Sequence, residues 1–195
     1  MMSSTANGSF PNIDTLSFGP VISTTKGSKQ IPILQNKTKA LTWLPIDFCD
    51  IPFEPGNFSD KESNRVSICF TPTEQVEDCL RIFDLWCIKT LASQSMQLLG
   101  QQLTEEQVKV RYLSPIKTSE KGYTTLRAKM NLAGPHTVQC WTNFKELRSL
   151  PDCWRNCKVK PMLYFKSIYL MGKDFGPIIE CTHAMIEESK IECPF

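Results

Sequence analysis

The sequence has no run approaching 18 consecutive apolar residues, so no helix of it is expected to cross a membrane. Its first residues, Met1-Met-Ser-Ser-Thr-Ala-Asn-Gly8, lack the charged start and apolar run of a signal peptide, and the expectation is a protein that is not secreted. Histidine is scarce: His136 and His183 are the only two, and neither sits in a nucleophile or metal motif. No glycine-rich phosphate loop of the P-loop or dinucleotide type occurs. The paired carboxylates Glu105-Glu106 and Glu187-Glu188 fall on capped or terminal segments, where solvated acids are the default. An enzyme is therefore not expected. No internal repeat and no low-complexity segment is present.

Cysteine is plentiful but badly arranged for a structural role. The nine residues are odd in number and scattered. Several lie in apolar runs, as in Ile68-Cys69-Phe70 and Trp86-Cys87-Ile88, where a thiol packs as a small hydrophobe. Cys153 and Cys157 are the one close pair, with no second pair or nearby histidine to complete a zinc tetrad. No metal and no cofactor are expected. Free thiols suit a reducing compartment, nucleus or cytoplasm, and leave the sequons at Asn7, Asn36 and Asn57 idle.

What is present is a core and a polarised charge distribution. With 195 residues, 41% of them apolar and 22% charged, the chain can bury one proper core. The net charge is only +2, but residues 111–175 hold 12 Lys/Arg against 4 Asp/Glu, a net of +8. The segments before and after each carry −3. A polyanion would meet the 111–175 region first.

Periodicity divides the chain into strands, a helical block and strands again. Residues 1–15 read as a flexible tail. Leu16 to Ile22, Gln30 to Leu34, Ala40 to Phe48 and Arg65 to Phe70 have strand character. Thr71-Pro72-Thr73-Glu74 reads as a capping box opening a long helix, about 72–99. Its stripe Val76, Leu80, Phe83, Cys87 and Leu91 recurs every three to four residues, and Gly100 ends it. Thr104 to Gln107 caps a second, shorter helix. Asn131 to Pro135 reads as a hairpin-like connection, and Asn143 to Cys153 as a helical turn.

The later strands each divide into two faces. In Tyr123 to Met130, Leu126, Ala128 and Met130 face inward, leaving Tyr123, Arg127 and Lys129 outside. In His136 to Thr142, Val138 and Cys140 face inward, leaving Gln139 and Trp141 outside. From Lys158 to Met171, Val159, Leu163, Phe165, Tyr169 and Met171 share one face. Lys158, Lys160, Tyr164 and Lys166 share the other, with Met162 among them. Tyr123, Arg127, Lys129, Trp141, Lys158, Lys160, Tyr164 and Lys166 thus form a candidate surface for single-stranded nucleic acid. Aromatic rings stack on bases irrespective of sequence, and cations neutralise phosphates. The alternatives stay open: a solvated lysine face, Trp141 buried against Phe144 to Leu150, or a protein-interaction or structural module whose aromatics contact protein.

Strands, a helical block and further short strands fit a mostly-β, α+β chain, an OB-like barrel with the helix inserted between strand groups. Residues 16–186 would form this single domain. The segment Cys157-Lys-Val-Lys-Pro-Met-Leu-Tyr-Phe-Lys-Ser-Ile-Tyr-Leu-Met-Gly-Lys-Asp-Phe-Gly-Pro-Ile-Ile-Glu180 resembles the C-terminal part of single-stranded-DNA-binding proteins of large eukaryotic DNA viruses. The helix from Glu74 to Leu99 and the strand containing Arg127-Ala-Lys129 fall where that family has equivalents. The resemblance covers about residues 40–190 and implies an OB-like fold and binding of single-stranded DNA, with RNA as the alternative. It further implies a role in replication, repair or recombination, at a viral replication site if the chain is virus-encoded. Assembly into a homo-oligomer is left open. Residues 187–195 are acidic and end in Pro194-Phe195, similar to the tails with which bacterial single-strand-binding proteins dock replication and repair partners.

Overall fold

The computed structural model describes residues 8–25, 27–56, 63–155 and 157–187. A 3-10 turn at Ile13–Thr15 leads into β1 (Leu16–Phe18), β2 (Ile22–Ser23), β3 (Lys29–Gln35), β4 (Lys39–Trp43), β5 (Cys49–Asp50) and β6 (Arg65–Phe70). Three helices follow, α1 (Glu74–Ser93), α2 (Ser95–Leu99) and α3 (Glu105–Arg111). The chain then forms β7 (Ile116–Thr118), β8 (Thr124–Asn131), β9 (Gln139–Thr142), β10 (Leu147–Arg148), β11 (Lys158–Met171) and β12 (Asp174–Ile186). None of these helices is long and apolar enough to cross a membrane.

The sheet is organised around β11. One edge of β11 pairs with β12 along its whole length. The other edge is served in turn by β5, β4 and β3. Irregularities between Met162 and Leu163 and between Phe165 and Ser167 bend the strand, as bulges do. β12 pairs in parallel with β8 and β9, and β6 closes the order on β8. A bridge between Asp50 and Thr71 ties the end of β6 back towards β5. The result is a mostly-β, α+β fold, a curled half-barrel with helices inserted between strand groups, and it is OB-like.

The helical stripe packs into this curl as expected. Val76, Leu80, Phe83, Cys87 and Leu91 are buried. Phe83 meets Phe165 of β11 at a ring-centroid distance of 4.8 Å. Phe10 adds edge contacts to Trp43 at 5.0 Å and Phe165 at 5.8 Å. Residues 8–15, expected in the tail, are therefore packed with the domain. Phe10, in a Ser/Asn/Gly/Pro-rich stretch, supplies that anchor together with Gly8, which bridges Pro45 and accepts the Trp43 indole N–H at 3.4 Å.

Four local expectations are corrected. The Thr71 capping box does not form, because Thr71 still belongs to the sheet: its N–H donates to the Asp50 carbonyl at 2.8 Å. Thr73 is the N-cap, and its hydroxyl donates to Asp47 Oδ2 at 3.1 Å. The helix expected over 72–99 is divided at Gln94. There Ser95 Oγ donates to the Ala92 carbonyl at 2.8 Å and accepts the Leu103 N–H at 3.0 Å. Gly100, at φ +72, then ends α2, a conformation that costs glycine little. β8 and β9 are not a hairpin, since both align along β12 and the chain loops out between them. Residues 143–153 contain no helical turn. Thr142 Oγ1 accepts the N–H groups of Phe144 and Glu146, both at 3.2 Å, and so turns the chain from β9 into β10. The expected Thr104–Gln107 capping box does form, with both reciprocal bonds.

Candidate nucleic-acid interface

The face of the sheet opposite α1 is built from alternating residues of β11. Val159, Pro161, Leu163 and Phe165 are buried. Lys160, Met162, Tyr164 and Lys166 are half-buried on the other side. The bulge then changes the parity. Ser167 and Ile168 are both buried, which turns Tyr169 and Met171 to the outer face instead of the core face expected for them. Met171 is 68% exposed and Tyr169 is half-buried. The correction adds a second tyrosine to the face that carries Tyr164. Gly176, the cross-strand partner of Tyr169, makes room for it: a Cβ there would stand 3.2 Å from the tyrosine ring and 2.4 Å from the Leu113 carbonyl oxygen.

Register sets the rest of the face. Trp141, Met185 and Lys160 form one row across β9, β12 and β11. Gln139, His183 and Met162 form the next. Tyr164, Glu180, Lys129 and Ser67 form a third, running from β11 to β6.

Three depressions follow these rows. The first, of 410 Å³, lies among Trp141, Met162, His183 and Met185. The second, of 380 Å³, lies among Tyr164, Lys166, Glu180, Lys129 and Arg65. The third, of 660 Å³, lies among Tyr169, Met171, Arg127 and Lys117 and shares Arg65 and Lys129 with the second. Met162 and Tyr164, successive outward residues of β11, join the first depression to the second.

Cations on this face are held in defined positions. Glu180 Oε1 accepts from Arg65 Nη2 at 2.7 Å and from Lys166 Nζ at 3.1 Å. Lys129 Nζ donates to Ser67 Oγ at 2.9 Å. Burial, with Arg65 and Arg127 nearby, holds the Lys129 ammonium below the usual lysine range. The Lys160 ammonium lies 5.0 Å from the centroid of the Phe48 ring, within cation–π range. Burial first, and the charge of Glu180 second, push the Tyr164 hydroxyl up; burial and Asp174 do the same at Tyr169. Both phenols stay neutral rings suited to stacking. Burial lowers the His183 pKa and favours its neutral imidazole.

Six of the eight expected residues meet here: Arg127, Lys129, Trp141, Lys160, Tyr164 and Lys166 line the three depressions. Tyr123 is 68% exposed in the β7–β8 turn and lines none of them. Lys158 is exposed at the start of β11, opposite Asp50, and also lies outside them. Pro194 and Phe195 lie outside the described residues. The residues that sequence reading missed are Arg65, Lys117, Tyr169, His183, Met185 and Phe48. Arg65 and Ser67 alternate with inward Val66 and Ile68, a signal that could have placed β6 on this face. The one close cysteine pair is engaged locally: Cys153 Sγ donates to Glu54 Oε1 at 2.9 Å, and Cys157 Sγ to the Cys153 carbonyl at 3.3 Å. Among the described residues, no group of three or more His, Cys, Asp or Glu side chains converges to hold a metal ion.

No protein-family model matches the chain, and no curated protein matches it significantly. Among solved structures, the chain is similar to the single-stranded DNA-binding protein from bacteriophage Enc34 in complex with ssDNA. The identity is 11% and the TM-score 0.49, over 90% of this chain and 97% of that one. A C-terminal truncation of the same phage protein is similar at 10% identity and TM-score 0.49, over 90% and 98%. Both neighbours are single-stranded-DNA-binding proteins, and both are from a phage rather than from a large eukaryotic DNA virus.

Proposed function

We propose that this protein binds single-stranded nucleic acid, DNA in the first place, along the outer face of the β11–β12 sheet. The observation that carries the reading is the coincidence on one face of Trp141, Tyr164 and Tyr169 with Lys160, Lys166, Lys129, Arg127 and Arg65. Half-buried rings between cations offer both terms that single strands need, stacking and phosphate neutralisation. A duplex hides its base faces, and no long basic helix is present among the described residues to enter a major groove. The DNA-bound phage neighbour accords with this reading but carries none of its weight. The role is one of binding without a catalytic step, in replication, repair or recombination, with partner docking through Pro194 and Phe195.

The test is a titration of oligo-dT, oligo-U and duplex DNA at two salt concentrations. Oligo-dT should bind more tightly than duplex, and log affinity should fall against log salt by roughly 0.7 for each phosphate neutralised. Tighter binding to duplex, or an affinity indifferent to salt, would contradict the proposal, and the latter would favour a protein partner.

A further inference from the structure

The first depression differs in chemistry from its two neighbours. Trp141, Met162 and Met185 form its walls, while the second depression is dominated by ionised side chains. These three side chains are half-exposed rather than packed into the core. An apolar patch with a polar rim is a feature of interaction sites. Its 410 Å³ falls inside the ~300–1,000 Å³ of small-ligand sites. Thioethers adapt to and pack favourably on flat rings, and an indole stacks on them.

The rim says what kind of ring. Gln139 and His183 occupy the adjacent row, so an amide and an imidazole border the apolar walls. Lys160 and Lys145 complete the rim, Lys160 over the Phe48 ring and Lys145 at the tip of the β9–β10 turn with φ +67. A buried apolar peptide side chain would gain nothing from two ammonium groups. A nucleobase whose sugar carries a phosphate on either side would use every part of the arrangement.

We infer that this depression seats a single nucleobase of the bound strand, stacked against Trp141 and clasped by Met162 and Met185. Lys145 and Lys160 meet its flanking phosphates, and Gln139 and His183 reach its polar edge. The inference rests on the single-strand reading above and deepens it. Stacking elsewhere on the face tolerates any sequence, whereas this one position senses which base is present.

Methionine methyl groups give a direct readout, because only an aromatic ring placed over them shifts their NMR signals by ring current. The intact protein, labelled at its methionine methyls, is titrated with oligo-dT and with an abasic oligonucleotide of the same length. Oligo-dT should shift the Met162 and Met185 signals, while that of Met96 on α2 stays put. The abasic chain should leave all three in place. If oligo-dT saturates the protein without moving Met162 and Met185, or the abasic chain moves them equally, the base seat is refuted while the single-strand reading stands. If oligo-dT does not bind, both fall. Gln139→Ala provides the second measurement. It should narrow the spread of affinities among oligo-dT, oligo-dC and oligo-dA by roughly two- to tenfold, the worth of one hydrogen bond. An unchanged spread would refute reading of the base edge.

Discussion

At the scale of single residues, the proposed interface is a set of rings and cations whose positions come from the backbone beneath them. Trp141, Tyr164 and Tyr169 are half-buried, so their ring faces are accessible while their attachment is fixed. Substituting any of the three with alanine should weaken oligo-dT binding by about 1–3 kcal/mol. Tyr123, exposed in the β7–β8 turn, should matter least of the aromatic candidates. A binding assay paired with a thermal melt checks this, since a loss of affinity that only follows a fall in Tm would mark the rings as core. Lys129 adds a pH dependence. Its ammonium is lowered by burial and by Arg65 and Arg127. Its charged form therefore costs the fold something. That cost disappears as pH rises from the lowered value towards the ordinary lysine pKa of about 10.4. Binding moves the other way, because a phosphate needs the proton in place. Oligo-dT affinity should fall with rising pH at a lower pH than an ordinary lysine would cause, and Lys129→Arg should remove that alkaline limb. An identical pH profile in the variant would take Lys129 out of the site.

At the scale of elements, local patterns were legible and long-range pairings were not. The stripe from Val76 to Leu91 and the strand Arg65–Phe70 could be read from periodicity, because burial on one side imposes it. The outward positions of Arg127, Lys129, Trp141 and Tyr164 followed from the same alternation. Tyr169 departs from that alternation because a bulge at Lys166, between Phe165 and Ser167, adds one residue and inverts everything beyond it. No composition marks that point. Placing β8 and β9 along β12 depends on strands more than 40 residues apart. The division of the helix at Gln94 has a similar origin, since Ser95 is drawn to Leu103 eight residues on. Ser95 is fully buried and satisfies both the Ala92 carbonyl and the Leu103 N–H. Ser95→Ala should cost about 1–3 kcal/mol, measured by denaturant unfolding, because a buried N–H loses its acceptor. A change within ±0.5 kcal/mol would mean that water or backbone replaces the hydroxyl.

At the scale of the whole molecule, the sheet separates two tasks. Its inner face holds Phe165 against Phe83 and Phe10 and gives the fold its core. Its outer face draws most of its cations from residues 111–175, the segment with 12 basic and 4 acidic residues, and takes Arg65 from β6. In the proposed reading, stability and binding thus rest on opposite sides of the same strands. The most direct test of that division is photocrosslinking of the full chain to an oligo-dT carrying 4-thiothymidine, followed by peptide mapping. Crosslinks should fall on the outer residues of β9, β11 and β12, at Trp141, Tyr164 and Tyr169 and their neighbours. Crosslinks concentrated on the exposed side of α1 or on α2 would contradict the account.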